Sequence, residues 1–118
     1  MSLANQVETN LVHHNLWSDV KRHEIANYND TKITILRGKP PAKLETGDED
    51  GSTEWVVPKL MTSKNDMNIT EIDNWFVQIS QLSDPKIRPL RITIGLVNDD
   101  ATVVYYFIHD GIVKPRQN

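Results

Sequence analysis

Apolar residues recur at helical spacing near the start of the chain. Two series at four-residue spacing take Leu3, Val7 and Leu11 and then Val12, Leu16 and Val20, with Trp17 beside them. Residues four positions apart lie on the same face of a helix. The spacing predicts one helix across this stretch, with His13, His14 and His23 on its polar side. The run Asn27–Asp30 that follows predicts a turn.

A second helix is predicted from about Asn68 to Leu82. Its apolar residues recur every three to four positions, at Ile69, Ile72, Trp75, Phe76, Ile79 and Leu82. Asn68 followed three positions later by Glu71 resembles a capping box, whose side chains satisfy backbone N–H groups at a helix start. The pair Asp84-Pro85 predicts the end of the helix, because the residue before a proline is driven out of the helical conformation.

Two short strands are predicted in the middle of the chain, on either side of an acidic segment. Ile33–Leu36 is β-branched and apolar, and the breakers in Arg37–Pro41 follow it. Trp55–Val57 resumes the strand pattern, which we expect Pro58 to end. Residues 45–54 carry five acids, two glycines and no base, so a flexible, solvated loop is predicted there.

A hairpin is predicted near the end of the chain. Leu90–Leu96 alternates apolar residues with Arg91, Thr93 and Gly95, which is the pattern of a half-buried strand. After a turn at residues 98–101, Thr102–Ile108 is apolar on both faces. Such a strand is expected either at the centre of a sheet or under a cover from outside the chain. The turn signal Asp110-Gly111 and a last short strand over residues 112–115 complete the prediction.

Length and composition are those of one small domain without a membrane span. The chain has 118 residues, of which 38% are hydrophobic and 25% are charged, and it contains no cysteine. We therefore expect a single small domain with one modest core. Disulfides and thiolate metal sites are excluded. The net charge of -3 argues against an autonomous RNA-binding domain, because phosphate neutralisation supplies most of the affinity of such domains.

Histidine and tyrosine are the candidate catalytic groups, and neither type forms a convincing set. Metal-free cleavage of RNA needs a general base, a general acid and a cation at one point. Tyr105 and His109 share one face of the last long strand, while Tyr106 takes the opposite face. Two strand residues four positions apart are about 13 Å apart, which is too far for joint action on one phosphate. Packing or interface roles are favoured, and no cofactor or metal is expected.

The C-terminal hairpin resembles the end of the tRNA-intron endonuclease fold. The resemblance rests on the apolar strand from Ile94, the acidic loop Asn98–Asp100 and the strand around Tyr105-Tyr106. Leu36–Leu44 is similar to a signature of the yeast members of one subunit family, and Trp55–Pro58 resembles its animal members. On these stretches the chain is identified as a member of the family of the smallest, structural subunit of the eukaryotic tRNA-splicing endonuclease, fungal type.

The resemblance implies a single α/β domain over residues 1–118, with a mixed sheet flanked by helices, similar to the C-terminal, nuclease-like domain of tRNA-intron endonucleases. It implies a non-catalytic chain in a heterotetramer of two catalytic and two structural subunits, which removes introns from precursor tRNA. The last long strand would pair with a catalytic subunit, and the acidic loop would enter a basic cleft of the other dimer. The implied interface comprises Asp99, Asp100, Val103, Val104, Tyr105, Tyr106, Phe107 and Ile108.

Two alternatives and the location stay open from the sequence. One alternative is a free-standing homodimeric protein- or RNA-binding module, and the other is a weakly active nuclease. The Tyr-His-Lys trio of the catalytic relatives has no counterpart at matching positions, which disfavours the nuclease. The resemblance implies an intracellular location, either in the nucleus or at the cytosolic face of the mitochondrial outer membrane, where fungal members work.

Overall fold

A computed structural model of the chain describes residues 2–26, 31–42, 44, 52–61, 68–82 and 89–110. Within these ranges the chain forms two α-helices and five strands. The helices are α1 (Leu3–Thr9), which continues as a π-helical turn (Asn10–His14), and α2 (Ile69–Leu82). The strands are β1 (Ser18–Ala26), β2 (Lys32–Lys39), β3 (Glu54–Leu60), β4 (Arg91–Val97) and β5 (Val103–His109).

The five strands form one mixed sheet in the order β1-β2-β3-β4-β5. Neighbouring strands are antiparallel except β3 and β4, which are parallel. Parallel neighbours need a crossover connection, and α2 lies in the stretch that supplies it. The α/β fold with a mixed sheet and flanking helices, predicted from the sequence, is confirmed.

Each face of the sheet has its own hydrophobic core. On one face Trp75, Phe76 and Ile79 of α2 pack against strand residues that include Ile35, Val57, Ile92, Ile94 and Ile108. On the other face α1 and the segment after it contribute Val7, Leu11 and Trp17, which pack with Leu36, Val56 and Val97. Successive strand residues point to opposite faces, so the inner strands supply both cores.

The first helix ends earlier than the spacing predicts. Ser2 caps its start, since the Ser2 hydroxyl oxygen accepts a hydrogen bond from the N–H of Asn5 at 3.1 Å, and helical structure stops at His14. Leu16 and Asp19 both have positive φ, 59° and 57°, which a right-handed helix does not allow. The predicted continuation through Val20 is therefore wrong. Both Val20 and His23 lie on strand β1.

Two expectations about the start and end of β3 are also wrong. Glu54, expected in the acidic loop, is the first residue of β3 and is buried. Pro58, expected to end the strand, lies inside it, opposite Gly95 of β4. The pairing of β3 with β2 stops at Val56. At Pro58, β4 is therefore the neighbour of β3 among the described strands, and no described strand pairs on the other side. Such a position tolerates a missing backbone N–H.

β4 is more deeply buried than predicted, and in the described sheet the structure excludes one of the two positions expected for β5. β4, expected to be half-buried, has buried residues on both faces from Ile92 to Val97. Its small residue Gly95 lets α1 approach closely, because a Cβ added there would lie 3.3 Å from Val7. β5 is not central: it is the terminal strand of the described sheet and is only partly buried. A cover over β5 from another chain stays a prediction.

Local predictions fared better. Asn68 caps α2, since its side-chain oxygen accepts a hydrogen bond from the N–H of Glu71 at 2.8 Å. Ile33–Leu36 lies within β2.

Four further predictions lie outside the described residues: the turn at 27–30, the acidic residues 45–51, the helix end at 84–85 and the strand at 112–115. Among the residues described, no helix has the length and apolar character needed to cross a membrane.

Candidate functional site

The turn between β4 and β5 is tightly hydrogen-bonded and carries two exposed acids. Asn98 closes it by donating from its N–H to the carbonyl of Thr102 at 2.8 Å and accepting from the N–H of Ala101 at 2.9 Å. The Asp100 carboxylate accepts from the hydroxyl and the N–H of Thr102, at 2.7 and 3.1 Å. The hydroxyl hydrogen bond lowers the pKa of Asp100. Asp99 and Asp100 are exposed, so the turn presents two acidic side chains to solvent.

Strand β5 presents residues of different burial. Val104 is 48% exposed, whereas Val103, Tyr105, Tyr106 and Phe107 are half-buried and Ile108 is buried in the α2-side core. The structure thus brings all eight residues of the implied interface together on one hairpin. The side chain of Ile108 packs in the domain's own core, so at that position a partner would contact the strand through its backbone groups.

Tyr105 joins β5 to the N-terminal segment. Its hydroxyl donates to the side-chain oxygen of Asn10 at 2.7 Å, and Asn15 donates to the same oxygen at 2.8 Å. Burial raises the pKa of the Tyr105 hydroxyl well above its usual range. Burial likewise raises the pKa of Tyr106 on the opposite face. Both phenols are therefore protonated at neutral pH, and Tyr105 acts as a structural tie.

A buried ion pair beside β5 went unpredicted. Glu54 accepts hydrogen bonds from Arg91 Nε at 3.1 Å, from Arg91 Nη2 at 3.0 Å and from the hydroxyl of Thr93 at 2.9 Å. The Arg91 guanidinium carbon lies 4.5 Å from the centroid of the Phe107 ring, and Phe107 meets His109 edge to face with centroids 6.1 Å apart. No signal in the sequence pairs Glu54 with Arg91, because the contact joins distant segments.

The candidate catalytic side chains are spread across the fold. His13 and His14 lie exposed on the π-helical turn. His23 lies on β1 and His109 on β5, at opposite edges of the described sheet. Four strand spacings of about 4.8 Å separate those edges by about 19 Å. The described part of the chain also contains no group of three or more His, Cys, Asp or Glu side chains able to hold a metal ion.

His23 has a distinct environment on the α2 side of the sheet. Its ring centroid lies 5.2 Å from that of Trp55. Burial is the main cause that lowers the pKa of His23 from 6.5, and the positive charges of Arg37 and Lys21 lower it further. The imidazole is thus held neutral by packing and by two neighbouring cations.

Comparison with known proteins assigns the chain to a family. A family model described as Sen15 protein matches residues 6–118. The chain belongs to the Sen15 family. The match spans β1 to β5, so it includes the acidic turn and the terminal strand. The family membership expected from the hairpin and from the stretches at residues 36–44 and 55–58 is confirmed.

Three fungal relatives match the chain. It is 33% identical over 118 residues to the tRNA-splicing endonuclease subunit SEN15 of Eremothecium gossypii, covering 98% of this chain and 91% of that protein. It is 29% identical over 124 residues to the probable tRNA-splicing endonuclease subunit sen15 of Schizosaccharomyces pombe, covering 98% and 82%. It is 30% identical over 109 residues to the probable tRNA-splicing endonuclease subunit tsp-1 of Neurospora crassa, covering 75% and 46%.

Proposed function

We propose that this chain is a non-catalytic structural subunit of a tRNA-splicing endonuclease, which removes introns from precursor tRNA. The observation that carries the proposal is the match to the Eremothecium gossypii subunit over nearly the full length of both chains. We also propose that the chain is located with this complex, either in the nucleus or at the cytosolic face of the mitochondrial outer membrane.

Strand β5 is the element proposed to bind a catalytic subunit. It is the terminal strand of the described sheet, and a terminal strand can add a strand from another chain through its backbone N–H and C=O groups. Val104, half exposed on β5, would supply apolar contact on one face, and the half-buried Tyr105 and Phe107 would supply it on the other. This combination of backbone pairing and apolar side chains is typical of strand-addition interfaces.

The acidic turn is proposed to contact a different subunit, completing a tetramer of two catalytic and two structural chains. Asp99 and Asp100 project from the end of the hairpin, where they are exposed and contribute little to the fold. The hydrogen bonds from Thr102 to Asp100 fix the turn in advance of binding. The fixed Asp100 carboxylate suits a basic cleft, because less side-chain freedom is lost on binding.

A non-catalytic role is supported by the state of the candidate groups. Tyr105 is engaged by Asn10 and has a raised pKa, which makes it a poor general base. His109 packs on Phe107, about 13 Å along the strand from Tyr105. An acid and a base that share one phosphate must be much closer than that. The chemistry is therefore assigned to partner subunits.

The test of this proposal compares two valine substitutions of similar exposure. Val104→Lys introduces a charge on β5, whereas Val77→Lys introduces the same charge on the outer side of α2, where Val77 is 37% exposed. Desolvating an unpaired lysine at an interface costs several kcal/mol. A loss of only about 2 kcal/mol in binding free energy already corresponds to roughly 30-fold weaker binding of the catalytic subunit, which we expect of Val104→Lys. Val77→Lys should bind as the parent chain does.

Co-expression with the endonuclease subunits, followed by affinity capture and native mass spectrometry, measures that difference. Circular dichroism of each variant provides the control for folding. Equal recovery of the catalytic subunit with both variants would contradict strand addition at β5, and failure of the parent chain to recover any endonuclease subunit would contradict the proposed function as a whole.

A further inference from the structure

Three basic side chains gather at one end of the α2-side face of strands β1 and β2. Lys21 of β1 lies directly opposite Arg37 of β2, and Lys39 lies opposite Ser18 at the next paired position. Lys21 and Lys39 are exposed and Arg37 is half-buried. We call Lys21, Arg37 and Lys39 the basic patch. The net charge of -3 does not reveal this cluster, which the pairing of β1 with β2 produces.

The basic patch differs from the other described lysines and arginines in its ion pairs. The other described lysines and arginines each form an ion pair: Arg22 with Glu8 at 2.6 Å, Lys32 with Glu24 at 3.9 Å, Lys59 with Glu71 at 3.4 Å and Arg91 with Glu54 at 3.0 Å. Within the described ranges, Lys21, Arg37 and Lys39 form no ion pair with a carboxylate. Among the described lysines and arginines, those without an ion pair therefore lie together in the basic patch.

Packing holds the central cation of the patch in position. The Arg37 guanidinium carbon lies 5.1 Å from the centroid of the Trp55 ring, and Arg37 Nε donates a hydrogen bond to the hydroxyl of Thr53 at 3.2 Å. The neighbouring His23 ring also packs on Trp55. Arg37 and Lys21 each help to lower the pKa of that imidazole, so both cations act on the same small region.

We propose that the basic patch binds the sugar–phosphate backbone of RNA, and the identity of that RNA as precursor tRNA rests on the proposed function. Alternate residues on one strand face are about 7 Å apart, a spacing on the scale of neighbouring phosphates along an RNA strand. An arginine donates to phosphate oxygens in a fixed fork, and lysines add mobile positive charge. Trp55 is only 6% exposed, so it supports Arg37 and offers no open ring for a base to stack on. The patch therefore recognises charge and not sequence.

The test exploits a matched pair of cations on the same two strands. Lys21→Gln with Arg37→Gln removes one lysine and one arginine from the patch. Arg22→Gln with Lys32→Gln removes the same residue types from the opposite face, where both are paired with acids. Both double variants change the net charge of the chain equally, and strand β1 and strand β2 each lose one cation in both.

Binding of labelled precursor tRNA to the assembled endonuclease is measured by fluorescence anisotropy over a series of salt concentrations. Each lost phosphate contact should reduce the slope of log K against log salt by about 0.7. The patch variant should therefore lose about 1.4 from the slope and bind about 25-fold more weakly at about 0.1 M salt. The control variant should stay within about twofold of the parent complex.

Three outcomes would overturn the inference. Equal slopes for the two double variants would mean that the patch touches no phosphate. Loss of a protein subunit from the patch variant in native mass spectrometry, with unchanged RNA affinity of intact complexes, would identify an acidic protein partner. Aggregation of the patch variant, with unchanged RNA affinity of its soluble fraction, would mean that the charges protect an edge strand.

A second measurement separates this inference from the proposed function. The isolated full chain and both double variants are titrated with single-stranded oligouridylate at about 20 mM salt, where even a few phosphate contacts are strong. Binding that only the patch variant loses would support the inference even if the chain joined no endonuclease. Equal binding by all three proteins would overturn it even if assembly with the endonuclease were intact.

Discussion

The buried ion pair between Glu54 and Arg91 predicts a large and strongly non-additive effect on stability. Only 8% of the Glu54 side chain and 11% of the Arg91 side chain are exposed. Arg91→Met keeps an apolar chain of similar length but removes the guanidinium. The substitution leaves the Glu54 carboxylate buried without its cation and removes the contact with the Phe107 ring. Breaking a buried pair from one side costs about 3–5 kcal/mol.

The second half of the pair should behave in the same way, and the two losses should not add. Glu54→Met removes the carboxylate that faces the buried guanidinium, again at about 3–5 kcal/mol. The double variant Glu54→Met/Arg91→Met leaves no buried charge, so its cost should be well below the sum. What remains is chiefly the Thr93 hydroxyl without its acceptor at 2.9 Å, worth about 1–3 kcal/mol. Adding Thr93→Val should recover part of that.

Urea unfolding at pH 7, followed by the fluorescence of the three tryptophans and by circular dichroism, measures these free energies. Against a total stability of about 5–15 kcal/mol, either single substitution should lower the midpoint severely. The coupling energy from the double-mutant cycle should be at least about 2 kcal/mol. Single costs below about 1 kcal/mol, the range of exposed pairs, or additive costs would refute the reasoning.

Two further predictions concern the acidic turn and His23. Asp99→Asn with Asp100→Asn keeps a side-chain acceptor for Thr102 and removes both charges. The melting temperature of the isolated chain should therefore be unchanged, while native mass spectrometry should record less four-chain complex. A full yield of tetramer would assign these residues to the turn alone. Because the folded pKa of His23 lies below 6.5, its contribution to stability is present above pH 6.5 and is lost as pH falls through the folded pKa. His23→Gln should flatten that decline in urea unfolding, and an identical decline in the variant would contradict the assignment.

Local signals in the sequence predicted the elements that depend on local interactions. Helix α2 repeats its apolar residues at helical spacing over its whole length, and Asn68 provides its cap. The turn at residues 98–101 is closed by hydrogen bonds between near neighbours. The last hairpin followed from such patterns, whereas the mixed sheet and the family were expected from the resemblance.

The errors arise where distant segments decide the structure. β1 has one buried side chain, Ile25, so its sequence carries no alternating pattern. The four-residue spacing of Val12, Leu16 and Val20 is coincidental, because the helix ends between them and the backbone has positive φ at Leu16. β4 looked half-buried because Arg91 and Thr93 are polar, yet Glu54 of β3 satisfies both inside the protein. The basic patch likewise depends on the register of β1 and β2, which no local pattern specifies.

The hydrogen bond between Tyr105 and Asn10 joins residues 95 positions apart, and it has a consequence for biosynthesis. Val7 of α1 and Leu11 of the π-helical turn after it share one core with Leu36 of β2, Val56 of β3 and Val97 of β4. These strands therefore cover the apolar face of the N-terminal segment as each is translated. Asn10 obtains its hydrogen-bond partner only when Tyr105 of β5 has been translated. Translation of β5 therefore adds, in one step, the bond that ties the N-terminal segment to the edge of the described sheet and the strand proposed to bind a partner, and a ribosome that stalls before β5 holds a chain that lacks both.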